Sequence, residues 1–258
     1  MATVAAAVDQ AAYFDWLCRL GDNCLVLGHR LSEWCGHSPV LEEDIALANT
    51  ALDLIGQTQM WLGLAGEVEG KGRTADKLAY LRDAAAFRNV LLVERPNGDF
   101  GMTLMRQFLF DAWHLETLRA LHGSSDSRVA EIAAKATKEV AYHLERSADL
   151  VIRLGDGTEE SHARMQKALN LLWPYTGELF MADAVDQAVV TAALAPDPSS
   201  LKAAWDLSVT EVMDEATLAL PGEVFQHKGG NTGRHTEALG FILAEMQFLQ
   251  RAYPGAVW

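Results

Sequence analysis

Asp22, Asp53, Asp111 and Glu139 are the side chains whose type and spacing could do metal chemistry. In a helical bundle, a di-metal centre takes one carboxylate from each of four helices. Two of those helices add a His three residues later, on the same face. Reflecting the first helical hairpin about residues 37 and 38 sets Asp53 opposite Asp22. Reflecting the second about 124 and 125 sets Asp111 near Glu139. Four acids thus fall at matched heights, but the imidazoles do not follow. Gly56 stands three residues after Asp53, and Tyr142 three after Glu139. His143 comes one residue later, about 100° further round the helix. His114 does follow Asp111 by three, on a helix that ordinarily gives only its acid. The pattern predicts a degenerate site with no catalytic, cofactor-binding or metal-binding residue. Asp111, His114, Glu139 and His143 are expected to form a buried ion-pair and hydrogen-bond network instead.

The elements that must position these residues are helical almost throughout. Trp16, Leu20, Cys24, Leu27, Leu31 and Trp34 recur at steps of three and four, one face of a long first helix. Cys35–Pro39 breaks it. Ile45, Ala48, Leu52, Ile55 and Leu62 give the core stripe expected of a second helix ending near Gly66. Lys71–Gly98 reads as an irregular connection, with a short helix around Lys77–Arg82 and a β-branched fragment, Asn89–Glu94. Asp99 is placed to cap a third helix, with Leu104, Phe108, Asp111, Leu115 and Leu118 on one stripe. Asp126 is placed to cap a fourth that runs to about Leu154. Shorter helices are expected at about 159–173, 176–194, 199–219 and 236–252. Two long antiparallel hairpins joined by a crossover, with further C-terminal helices, make an all-α, ferritin-like four-helix bundle. One domain, 1–258, is expected, with 1–12 as a frayed lead-in.

A net charge of −14 argues against nucleic acid, whose phosphates need clustered Lys and Arg. No apolar run reaches the roughly 18 residues that span a bilayer. Three cysteines, Cys18, Cys24 and Cys35, without a CxxC pair, suggest reduced thiols and a cytoplasmic protein. His29 and His37 read as surface residues near a helix end. Lys228–Gly233 has glycines without phosphate-loop spacing and reads as a flexible loop. The seven tryptophans, Trp16, Trp34, Trp61, Trp113, Trp173, Trp205 and Trp258, suit core or interface anchors. Trp16, Trp34 and Trp61 are the candidates for an exposed apolar strip on the first hairpin.

Several longer segments carry a family resemblance. They are Leu17–Pro39, Asn89–Phe100, Phe110–His114, Lys138–Thr158, Leu172–Phe180 and His235–Trp258. In joint order, nearly end to end, they resemble the C-subunit family of bacterial phenylacetyl-CoA epoxidases. The resemblance implies a ferritin-like structural subunit of a multicomponent monooxygenase of phenylacetate catabolism. Such a complex epoxidises the aromatic ring of phenylacetyl-CoA with O2 and electrons from NADPH, delivered by a flavin/iron–sulfur reductase. A related catalytic A subunit holds the di-iron site, and the assembly also includes a small B subunit. No cofactor is then expected on this chain. The competing reading from the residues is an independent di-iron or di-manganese oxidase using Asp22, Asp53, Asp111, His114, Glu139 and His143 in an unusual arrangement. Gly56 and Tyr142 speak against it, and equally against an iron store.

Overall fold

The structure, a computed structural model, describes residues 8–256; Trp258 and most of the expected lead-in lie outside them. Among the described residues there are ten α-helices, five short 3-10 turns and no strand. The backbone forms two compact units. One is Asn97–His227; the other joins Val8–Pro96 to the C-terminal stretch from Lys228.

In the second of these, α1 (Gln10–Ser32) and α2 (Leu41–Glu69) form an antiparallel hairpin. Helix α1 starts earlier than the expected lead-in allows. The Asp9 carboxylate accepts from the Ala11 amide, and Ala12 is already buried. Tyr13, Trp16, Leu17, Leu20, Cys24, Leu27 and Leu31 then fill one face. Helix α2 contradicts the expected stripe. Its core face is Leu47, Ala51, Leu54, Thr58, Trp61, Leu62 and Ala65, whereas Ile45 and Leu52 are solvent-exposed. The helix is apolar on two sides, so spacing alone cannot choose between them. At the contact, a side chain on Gly21 would overlap Leu62, and the Thr58 hydroxyl donates to the Gly21 carbonyl at 3.3 Å. The crossover holds α3 (Ala75–Tyr80), capped by Thr74. The β-branched Asn89–Glu94 fragment closes as a turn over residues 91–94. Helices α9 (Glu237–Met246) and α10 (Phe248–Ala252) end the chain. The 228–233 segment is a packed turn: a Cβ on Gly230 would fall 2.1 Å from the Asn89 carbonyl oxygen.

In the other unit, α4 (Phe100–Leu121) and α5 (Ser127–Gly155) form the second hairpin. Both expected caps are present: Asp99 accepts from the Met102 amide at 2.9 Å and Asp126 from Arg128 at 2.9 Å. Helices α6 (Glu159–Leu172), α7 (Ala184–Thr191) and α8 (Lys202–Glu215) follow. The expected 176–194 helix is shorter because Gly177–Phe180 closes as a 3-10 turn before Asp183 caps α7. Two tryptophans fasten this layer. Trp205 donates to the Leu109 carbonyl at 3.0 Å, and Trp113 to Leu179 at 3.1 Å.

Candidate functional site

Asp22 is fully buried on α1, and its partner is Arg82, not Asp53. The Arg82 guanidinium grips both carboxylate oxygens, one of them at 3.0 Å, and the Arg88 amide adds a third donor at 2.8 Å. The same guanidinium lies 4.4 Å from the centre of the Phe87 ring and donates to the Leu78 and Ala86 carbonyls. One turn away, burial and the Asp22 charge push the Cys18 thiol up, which leaves it unreactive. Asp53 sits half-buried on the other side of α2, and a Cβ on Gly56 would meet nothing within 4 Å. The hairpin register explains the mismatch. Gly28 opposes Ala51 and Gly21 opposes Leu62, so the level of Asp22 on α2 is one turn beyond Asp53. Gln57 occupies that level, with Cys24 Sγ 3.7 Å from its side-chain oxygen.

Asp111 is also fully buried, and its partner across the hairpin is Ser147. Ser147 Oγ donates to one oxygen at 3.0 Å, and Gln107 Nε2 to the other at 2.7 Å. Burial pushes the Asp111 carboxyl up to about 8, against the pull of Ser147, Gln107 and the Arg146 charge. His114, also buried, is lowered to about 3 by burial and by His143. Asp111 therefore takes its donors from Ser147 and Gln107, and burial disfavours charge on both Asp111 and His114. Glu139 is only half-buried and Tyr142 is 58% exposed. The inner stripe of α5 is Val129, Ala133, Ala136, Val140, His143 and Ser147. Here the offset is two turns. His122 at the end of α4 meets Thr137 at 2.8 Å, so the connection carries the chain past α4 before α5 begins.

A third buried carboxylate, Glu94, escaped the sequence reading. His235 presents Nδ1 to Glu94 Oε2 at 3.2 Å and Nε2 to the Phe87 carbonyl at 3.1 Å. The Thr236 amide donates to the other Glu94 oxygen at 2.7 Å. Both ring nitrogens face oxygen atoms. No local motif marks residues that lie 141 apart in sequence.

These groups do not fit a di-metal cage. Asp22, Asp111 and Glu94 are each taken up by donors of their own, while Asp53 and Glu139 are only half-buried and Tyr142 is exposed. Among the described residues no three His, Cys, Asp or Glu side chains gather as a metal-holding set. The proposed tryptophan strip is corrected as well. Trp16 and Trp61 are core residues, and Trp34 is half-buried in the turn after α1. His37 is exposed, whereas His29 is largely desolvated, which lowers its proton affinity. No helix among the described residues is long and apolar enough to cross a membrane.

The helical hairpins, with buried carboxylates on their inner faces, define an all-α chain of the ferritin-like class. The chain belongs to the phenylacetic acid catabolic protein family, whose model matches residues 1–258. It is 51% identical, over 240 residues, to the C subunit of 1,2-phenylacetyl-CoA epoxidase from Escherichia coli (strain K12). The match covers 93% of this chain and 96% of that protein.

Proposed function

We propose that this chain is a non-catalytic structural subunit of a cytoplasmic phenylacetyl-CoA epoxidase. In this reading it pairs with a di-iron catalytic A subunit and supports its folding and activity, beside a small B subunit and a reductase that supplies electrons from NADPH. The observation that carries the reading is the engagement of the two acids best placed for metal. Arg82 occupies the Asp22 carboxylate, and Gln107 and Ser147 occupy that of Asp111. A cationic guanidinium on the would-be ligand excludes a dication by charge as well as by space. The likeness to a relative named as the C subunit of such an epoxidase supports the same assignment.

The test is reconstitution. The chain purified alone after iron-supplemented expression should carry no stoichiometric iron and give no turnover with reductase, NADPH and phenylacetyl-CoA. Adding the catalytic subunit should give a stable complex and epoxide formation. Turnover by the isolated chain, or iron near two per chain, would overturn the reading in favour of an independent di-iron oxidase.

A further inference from the structure

Helix α2 carries a second seam, distinct from the one that packs on α1. Leu41, Ile45, Ala48, Leu52, Gly56, Gln59 and Gly63 follow one another at steps of four, three, four, four, three and four. This is the 3–4 alternation with which one helix packs along another. None of these residues is charged, and none is fully buried. The first half of the row is apolar: Leu41 is 71% exposed, Ile45 53% and Leu52 66%. The second half is small or neutral. At Gly56 and Gly63 a Cβ would meet nothing within 4 Å, so a neighbouring backbone can come close there. From Leu41 to Gly63 the row is about 33 Å long at the helical rise. Scattered exposed leucines need no explanation, but a continuous uncharged row of about six turns does.

The charge around the row restricts what can cover it. Helix α2 contains six Asp and Glu residues and no Lys, Arg or His. By helical position Glu42, Asp53 and Glu67 run along one edge of the seam. Two copies of this chain meeting seam to seam would bring carboxylate edges together in a chain already at −14. A different partner with Lys and Arg beside its own apolar row meets the same edge favourably.

We infer that the outer seam of α2, Leu41–Gly63, is the docking face for a long helix of a partner subunit whose apolar row is flanked by basic residues. The inference rests on the multisubunit reading above, and names the surface that reading needs.

The test compares the full chain with Ile45→Glu/Leu52→Glu, each co-expressed with the A and B subunits of the epoxidase. Both positions are exposed, so melting of the variant alone should match that of the unaltered chain. Its affinity for the partner subunits should fall at least 100-fold, and the unaltered complex should weaken as salt is raised. Unaltered assembly of the variant overturns the docking face and leaves the subunit reading standing. Failure of the unaltered chain to assemble with any subunit overturns the subunit reading itself. A dimer of the isolated chain that the double substitution converts to monomer identifies a second copy as the occupant, and also overturns the inference.

Discussion

Arg82 holds both oxygens of Asp22 across 60 residues of sequence, with the pair sealed from solvent on all sides. The bond ties the crossover to the middle of α1, and the Asn23 side chain reinforces it by accepting from the Val90 amide at 2.8 Å. Breaking a buried pair from one side leaves an uncompensated charge, which costs on the order of 3–5 kcal/mol. Arg82→Met should therefore lower unfolding free energy by that order in urea titration. Asp22→Asn/Arg82→Met should recover part of the loss, because no charge is then stranded. A double variant no more stable than the single one would show that packing, not charge, makes the link.

Asp111 and His114 make opposite contributions to the pH dependence of stability. The Asp111 carboxyl is raised from 3.8 to about 8, so between those values the folded chain binds the extra proton and stability falls as pH rises. His114 is lowered from 6.5 to about 3, so there the unfolded chain binds the extra proton and stability falls as pH drops. The two slopes oppose each other from about 4 to 6.5, and Asp111 acts alone from about 6.5 to 8. The wild-type slope in that upper window should approach about 1.4 kcal/mol per pH unit. Asp111→Asn should flatten it, as read by chemical denaturation at pH 6.5 and 8. An unchanged slope in the variant would assign the effect to another group.

What sequence could reveal divides along a physical line. The N-caps at Asp99 and Asp126 are local hydrogen bonds, and both stand where composition puts them. The offset between paired helices is set by the connection, which has no period to read. The five residues from 122 to 126 move α5 by two turns and carry Glu139 and Tyr142 away from Asp111. The stripe Val129, Ala133, Ala136, Val140, His143 and Ser147 was the available signal for the inner face of α5. Helix α2 gave no such signal, being apolar on both sides. Arg82 and His235 reach their carboxylates over long separations, where spacing carries no information.

Two glycines on α2 should respond oppositely to alanine. At Gly56 the added methyl meets nothing, and helix propensity favours Ala by about 0.5–1 kcal/mol. Gly56→Ala should stabilise the isolated chain by that amount. At Gly66 the methyl would lie 2.1 Å from the Arg73 carbonyl oxygen, so the backbone after α2 must move. Gly66→Ala should destabilise by about 1–3 kcal/mol despite the same propensity gain. Thermal melts of the two variants decide it; equal responses would rule out the close approach at residue 66.

The Glu94–His235 pair should govern local opening of the C-terminal segment. Glu94 accepts from Thr236 at the start of α9, and Gln247 holds the far end through the Ala79 and Arg82 carbonyls at 2.9 and 3.0 Å. Glu94→Ala removes the first anchor and leaves the second. Amide exchange should accelerate at least tenfold around 229–240, with less change near 247. Uniform acceleration through the whole chain would mean that Glu94 supports global rather than local stability.

The last expectation follows from where the absent imidazoles would have to stand. If the bundle had merely lost its ligands, restoring His at residues 56 and 142 would rebuild a site with Asp53 and Glu139. Within each hairpin the structure turns these positions away from the buried acid. Gly56 lies on the outer seam of α2, and Tyr142 is 58% exposed on the outer side of α5. Metal cages need ligands converging within about 2.0–2.2 Å of one ion, and neither position lies on the inner stripe of its own hairpin. Gly56→His/Tyr142→His should therefore bind no more iron than the unaltered chain. Elemental analysis and the visible spectrum after anaerobic Fe(II) loading measure this directly. The surface positions also make the variant a fair test, since neither replacement disturbs the core. Stoichiometric iron in it would mean that the hairpin registers differ by one turn at Asp53 and two at Glu139 from those described. The assignment of Arg82 and Ser147 as the partners of the buried acids would fall with them.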